Sequence, residues 1–439
     1  MPLRRAKQAC VHCHRRRIRC DVLQQRPCSN CVAHDVPCEI GVSRRGKYPR
    51  KKHTKTQAHT QSTQQSTPTS ASTINTTTTN HIQDNRITTI PPRKITEPTV
   101  FLGESSPLTS VMDPTQPPKL HYPLPDRLLP SGAEGSSARD DAVRLHAVQQ
   151  AARLESDGSL SFPPGDTVNA LLHAYFRWFH PCFPVVDRGA IYRAKVNSTI
   201  PPLLLQAMLF IGVSLCDDNT FARLRTEFPV RYRAKLLFYS RAKAIYEADA
   251  EASPIVKLQA LFMLSFWRGG PSEERDVRFW LGVAISLAQK RGMHMMPRFS
   301  HPPKEMRVWK RIWWALYTRD QQSAAALGLP PRIRDEDGDV AMLEPDDMLE
   351  EDSVGDNDVF GTQKAQDLVY PVEMAKLARL LRTIVSTQYL HHQKPDLATR
   401  NALNQQLCLW ESQLPPELRL ENVSPDSLFL TGLLHMTYQ

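Results

Sequence analysis

From about residue 165 onward, apolar residues recur at three- and four-residue intervals over stretches too long for strands, a spacing that places them on one face of a helix. Helices are predicted near 167–179, 202–216, 231–247, 254–268, 277–291, 305–327, 368–391 and 397–413, and no alternating strand pattern competes. Gly292 and Gly328 follow two of these segments as C-terminal caps, because glycine takes the left-handed backbone that closes a helix. The most apolar run, Pro202 to Cys216, is interrupted by Gln206 and is short for a membrane crossing, so it reads as a buried helix. An all-α domain over residues 165–439 follows. Trp313, Trp314 and Tyr317 read as core packing, Arg311 and Asp320 as buried partners tying helices together, and Cys182, Cys216 and Cys408 as packing thiols. The chain ends inside what reads as a helix, Thr431 to Gln439, which is the pattern expected of a chain cut short at that end.

Between residues 54 and 164 the apolar periodicity disappears. Thr, Ser, Gln and Pro dominate, as in TQSTQQSTPTSASTINTTTTN, and this composition predicts a disordered linker. Within it, Ala138 to Ser156 sets Leu145, Val148 and Ala152 along one side of a short predicted helix. That is too few heptads for a coiled coil, so the pattern does not establish dimerisation. Asp346, Asp347 and Glu350 have the D-D-x-x-E form of a diphosphate-metal motif. They lie in a longer acidic run, Asp335 to Asp358, and no second metal motif accompanies them, so a solvated acidic loop is expected.

Charge is distributed unevenly. Residues 1–53 hold 14 lysines and arginines against three acidic residues, a net +11, whereas the whole chain carries +10. A short basic end on a near-neutral body is the electrostatic footprint of a protein that binds a polyanion, and nucleic acid fits it. The opening MPLRRAKQAC has charge without an apolar stretch and is no secretory signal. A reducing intracellular setting is expected, where clustered cysteines point to metal rather than disulfides.

Six of the nine cysteines, Cys10, Cys13, Cys20, Cys28, Cys31 and Cys38, follow C-x2-C-x6-C-x7-C-x2-C-x6-C, the second three repeating the first at an offset of 18. A tetrahedral thiolate site takes four ligands, so six thiols fill one site with two left over, or two sites that share two sulfurs. All-cysteine ligation leaves no open coordination position, which makes the metal structural. The segment has few large apolar residues, so metal binding must supply most of its folding free energy, on the order of 10 kcal/mol. The two halves differ between their cysteines. The first carries His14, Arg15, Arg16, Arg17, Ile18 and Arg19, while the second carries no cation there, so the first half is the one suited to phosphates and bases. His12 and His14 are not needed as ligands once six thiols complete the count.

The stretch ACVHCHRRRIRCDVLQQRPCSNCVAHDVPC resembles the fungal Zn2Cys6 binuclear-cluster transcription factors. The resemblance implies two zinc ions per chain bridged by Cys10 and Cys28, and a helix in the major groove of double-stranded DNA. It places Arg17 at the position that reads a CGG-type triplet, where most members carry lysine, and Pro27 at the family's loop proline. Arg15, Arg16 and Arg19 and the run Arg44, Arg45, Lys47, Arg50, Lys51 and Lys52 then suit phosphate contact, the run also suiting nuclear import. KRIWWALYTRDQQSAAALGLPPRIRDEDGDV and the earlier HPCFPVVDR, His180 to Arg188, resemble the fungal-specific transcription factor domain of the same family.

Taken together, the expectation is a non-enzymatic nuclear regulator of RNA polymerase II genes. It has a zinc-stabilised cluster module (1–53), a disordered linker (54–164) and an all-α regulatory domain (165–439). Implied partners are DNA, with a homodimer, the transcription machinery and a nuclear import receptor as further ones, and no membrane. The cluster wording is closest to the cutinase and fatty-acid-responsive subgroup, which implies a role in lipid or carbon-source metabolism. The alternative is a shortened DNA-binding competitor or repressor without an activation tail.

Overall fold

The computed structural model describes residues 10–16, 20–40, 99–101, 121–123, 138–270, 273–295, 303–350, 357–389, 396–425 and 427–439. The chain divides into two compact units, Met1–His81 and Ile82–Gln439. In the first, α1 (Val11–Arg16) and α2 (Ser29–Ala33) flank an interior made of Cys10, Cys13, Cys20, Cys28, Cys31 and Val22, with Val36, Cys38 and Ile40 packed against it. The Val11 amide donates to the Glu39 carbonyl at 2.7 Å and closes the two ends of the segment on each other.

The second unit begins with a two-stranded antiparallel ribbon, β1 (Thr99–Phe101) and β2 (His121–Pro123), in which Phe101 pairs with His121. The sequence pattern gave no sign of this ribbon. Phe101 meets the His294 ring edge-on at 5.1 Å, so this piece of the segment read as linker rests on the helical domain. Next comes α3 (Ala138–Ser156), on which Leu145 and Val148 are exposed while Leu154 is buried. Packing therefore starts upstream of residue 165. Gln206, fully buried in the domain's central helix, donates from Nε2 to the carbonyls of Ser159 and Ser161 at 3.0 Å each and draws that stretch onto the core.

The helices that follow are α4 (Gly165–Ala174), continued by a π-helical turn over Tyr175–Phe179, α5 (Arg188–Val196), α6 (Pro202–Leu215), α7 (Asp218–Arg223) and α8 (Arg231–Glu247). They are completed by α9 (Pro254–Leu264), α10 (Val277–Lys290), α11 (Pro303–Leu327), α12 (Ala365–Gln388), α13 (Leu397–Ser412) and α14 (Leu428–Tyr438). Every residue of α6 from Leu203 to Val213 is buried, as the unbroken apolar run predicts, with α4, α8 and α9 packed around it. The main core extends through α10 and α11, and a smaller one, built on Tyr370, Met374, Trp410, Leu418 and Leu434, joins α12 to α13 and α14. No described helix is long and apolar enough to cross a membrane.

All eight helices predicted from periodicity are present. The short α5 and α7 were missed because they carry little apolar pattern, although Asp187 and Asp217 cap them by accepting from the amides of Ala190 and Thr220 at 2.7 Å. Gly292 and Gly328 take φ of +73° and +64°, the conformation expected of helix-closing glycines. Trp313, Trp314 and Tyr317 are buried in the core, and Cys182 and Cys216 are buried as expected. Cys408 is exposed, because α13 buries Leu403 and Trp410 and turns position 408 outward.

Arg311 and Asp320 do not pair. They stand nine positions apart on one helix, about 180° around its axis at 100° per residue, and cannot face each other. Asp320 instead takes Arg278 at 3.2 Å and the amides of Arg332 and Ile333 at 2.6 and 2.9 Å, which pins the loop after α11.

Part of the acidic run departs from the solvated loop expected of it, although Glu336, Glu344 and Asp346 are exposed as expected and residues 351–356 lie outside the described residues. Asp335 accepts from the Tyr317 hydroxyl and pairs with Arg382, both at 2.7 Å, and Asp347 pairs with Lys310 at 2.6 Å. Glu350 is a buried hub. It accepts from His180 Nε2 at 2.9 Å and from the Arg188 amide and Nε at 3.0 Å each, while Arg188 Nη1 reaches the Phe360 carbonyl at 2.6 Å. Burial alone would push the Glu350 carboxyl up, but His180 and Arg188 outweigh it and hold it at about 2. Burial holds the His180 ring below its ordinary 6.5, so it is neutral at pH 7 and Arg188 is the counter-charge.

Two outcomes follow from this packing. A Cβ on Gly212 would lie 2.2 Å from the Leu171 carbonyl oxygen of α4, so Gly212→Ala is expected to destabilise the domain by about 1–3 kcal/mol, read from its urea midpoint. An unchanged midpoint would mean that α4 and α6 have room to separate. The second concerns pH. Below 6.5 the unfolded chain protonates His180 before the folded one does, so the stability present above that value is lost as pH falls from 7 to 5. Glu350 does not contribute in this window, since its stabilisation is lost only below its ordinary 4.5, toward 2. His180→Gln should flatten the decline between pH 7 and 5, and an equally steep decline in the variant would remove His180 as its source.

Candidate metal centre and nucleic-acid interface

The cysteine cluster is assembled by two similar turns. The Cys10 amide donates to Cys20 Sγ at 3.4 Å, and 18 residues later the Cys28 amide donates to Cys38 Sγ at 3.3 Å. The internal repeat is thus a repeat of geometry. Each C-x2-C pair lies at the start of a short helix, so its second cysteine turns back toward the first. The linking loop is held by Asp21, which accepts from the Ser29 amide at 3.0 Å and from the Ser29 hydroxyl.

The sulfurs form two sets of four, Cys10, Cys13, Cys20 and Cys28 in one and Cys10, Cys28, Cys31 and Cys38 in the other, each within 4.8 Å. Cys10 and Cys28 belong to both. The separations are 3.7 Å for Cys10 to Cys28 and 3.6 Å for Cys10 to Cys31 and for Cys13 to Cys28. A disulfide requires about 2.05 Å, whereas the edge of a tetrahedron of thiolates about 2.3 Å from zinc is about 3.8 Å. The donor set fits two tetrahedral thiophilic ions that share two ligands. Burial pushes the Cys13 thiol up to about 12 and raises Cys28 and Cys31 as well, so a dication between them is what would favour the thiolates. His12 belongs to neither set, and the described residues contain no other such group.

Of the residues expected to meet DNA, Arg16 is exposed at the end of α1, and Arg15 lies in α1 with its side chain outside the described residues. Arg17, Arg19, Arg44, Arg45, Lys47, Arg50, Lys51 and Lys52 lie outside the described residues altogether. The opposite half offers α2, SNCVA, which carries no charge.

Other chemistry finds no support. Asp347 and Glu350 of the D-D-x-x-E stretch turn to different partners, Lys310 and His180, and do not converge. Burial pushes the Cys182 thiol up to about 12 and raises Cys216, the reverse of what a nucleophile needs. The hub of His180, Arg188 and Glu350 was missed by sequence reasoning. HPCFPVVDR contains two of its members, but nothing local marks their distant partner.

The fungal Zn(2)-Cys(6) binuclear cluster domain matches residues 8–47, and the fungal specific transcription factor domain matches residues 172–412. Cutinase transcription factor 1 alpha of Fusarium vanettenii is 30% identical over 99% of this chain and 51% of its own length. Cutinase transcription factor 1 beta of the same organism is 28% identical over 96% of this chain and 53% of its own length. The acetamidase regulatory protein of Aspergillus fumigatus is 27% identical over 64% of this chain and 35% of its own. The chain thus spans about half the length of the two cutinase factors. No solved structure matches it.

Because Cys10 and Cys28 stand in both sulfur sets, replacing either with serine should strip most of both ions. Cys20→Ser or Cys38→Ser, each touching one set, should spare more. Elemental analysis of the purified full chain should return a zinc ratio near two for the unmodified protein. A tightly held ratio near one would rule out the shared arrangement.

Proposed function

The chain belongs to the fungal transcription factors built from a Zn(2)-Cys(6) binuclear cluster and a fungal specific transcription factor domain, and from that premise we propose that it is a sequence-specific, zinc-dependent DNA-binding regulator of RNA polymerase II genes in the nucleus, with no catalytic activity. The observation that carries this reading is the pair of sulfur sets sharing Cys10 and Cys28. On this reading those two cysteines bridge two zinc ions, and Cys13, Cys20, Cys31 and Cys38 complete the coordination. The metal is structural. It supplies no reaction and holds α1 rigid enough to enter a major groove.

The charge asymmetry between the halves supports α1 as the reading helix. Arg17 takes the base-reading position on a CGG-type triplet, since arginine can meet guanine with two parallel hydrogen bonds. Arg15, Arg16 and Arg19 and the run from Arg44 to Lys52 hold phosphates. Residues 1–53 form the DNA-binding module and 165–439 the regulatory domain, onto which the ribbon and the end of α3 pack from the 54–164 segment, the rest of that segment being the tether. The named relatives regulate a cutinase and an acetamidase, which supports target genes in lipid or carbon-source use.

Base reading and phosphate holding separate by mutation. Arg17→Ala should lower affinity for a CGG-containing duplex by about 1–3 kcal/mol and leave a scrambled duplex nearly unaffected. Lys51→Ala should weaken both similarly and reduce the log-log salt slope by about 0.9. A salt titration of each variant on both duplexes decides. If Arg17→Ala weakens the two equally, Arg17 is not the reader.

A further inference from the structure

Arg311 is only 3% exposed on α11, and its Nε and Nη1 have no hydrogen-bond partner. The carboxylates whose charge reaches it are Glu350, Asp187 and Asp347, and each is committed elsewhere. Glu350 holds His180 and Arg188, Asp187 caps α5 through the Ala190 amide, and Asp347 pairs with Lys310. Burial outweighs the three of them and pulls the guanidinium below its ordinary value. Arginine nonetheless keeps its proton in proteins, so Arg311 is a buried cation with unmet donors. Such a group is costly unless an acceptor meets it.

Arg311 also lines a small cavity between α11, α12 and the chain that follows the π-helical turn. The walls are mostly apolar, with Phe183, Trp314, Leu343 and Met348 among them, and Arg311 is the only charged residue on them. About 10 Å3 is open to the centre of a water-sized particle, which is room for one such particle. A water there would accept from Arg311, but ordered waters settle where two to four polar groups converge. The other polar side chains on the wall are Thr318 and Cys182, and Cys182 already donates to the Trp178 carbonyl at 3.5 Å. A water also leaves the charge unbalanced, whereas an anion cancels it in surroundings that screen little.

From the unmet guanidinium and the one-particle cavity beside it, we infer that the helical domain binds a single monatomic anion, such as chloride, as the counter-ion of Arg311. Trp314, Leu343 and Met348 belong to the main core and Met374, also on the wall, to the smaller one, so the ion lies at the seam of the two. The unfolded chain has no such site. Chloride therefore stabilises the folded domain by mass action. None of this depends on DNA binding, and the two readings fail separately.

The experiment is thermal unfolding of the zinc-loaded full chain in 1 to 100 mM sodium chloride, with ionic strength held constant by sodium gluconate. All seven tryptophans lie between residues 178 and 410, so tryptophan fluorescence reads the helical domain and not the cysteine cluster. The midpoint should rise by about 3 °C or more over that range, and bromide should replace chloride. Arg311→Met removes the charge, and Ala315→Leu fills the cavity while keeping the charge. Each should abolish the rise. The rise is read within each variant, so a lower starting midpoint does not disturb it, and if Arg311→Met fails to fold, the unmodified protein and Ala315→Leu decide. A midpoint of the unmodified protein that ignores chloride, as a bound water would give, or a rise that survives either substitution, overturns the proposal.

Discussion

Sulfur takes the place of hydrocarbon at the N-terminus. Five cysteines, all but buried, and Val22 form the interior of the first unit, and two helices of six and five residues are too short to hold themselves in water. Stability there must come from bonds between thiolates and metal, because so little apolar surface is available to bury. The sharing of Cys10 and Cys28 by both sulfur sets then constrains everything else. It fixes the two halves against each other and sets the direction of α1. Whatever Arg15 and Arg16 do, they do from a helix oriented by sulfur.

The helical domain meets a different constraint. Its central helix is apolar on every side, which forces neighbours around it and leaves buried polar groups to be satisfied where the layers meet. Gln206 meets this demand with two carbonyls, Asp320 with two amides and an arginine, and Glu350 with a histidine, an arginine and a backbone amide. Each of these side chains joins segments far apart in sequence. Burying charge in this way costs desolvation that the partners roughly offset, so the hub specifies one arrangement of loops and helices more than it adds net stability.

The two units divide the chemistry. The cluster module is small, cationic and dependent on metal, and among its described residues Arg16 is exposed on α1 and Arg26 on the linking loop. The helical domain has a conventional core and engages Asp320, Asp335, Asp347 and Glu350 with its own cations. Contact with a polyanion needs exposed, closely spaced cations in water, whereas a helical core needs its buried charges paired.

The sequence by itself determined the metal centre and most of the helices. Cysteine spacing is a local property, and an offset of 18 between two identical triplets already implies two equivalent half-sites. Long helices announce themselves because apolar periodicity repeats over many turns. The short α5 and α7 offered only their aspartate caps, and the ribbon of β1 and β2 is three residues per strand, too brief for alternation to register. Only the tertiary structure decided which buried charges meet. It separated Arg311 from Asp320, brought Glu350 to His180 across 170 positions of sequence, drew part of a seemingly solvated acidic run onto α11 and α12, and opened the cavity beside Arg311. Periodicity records which face of an element is buried, but the partner of a buried charge is chosen by how separate elements pack, and no spacing along the chain encodes that choice.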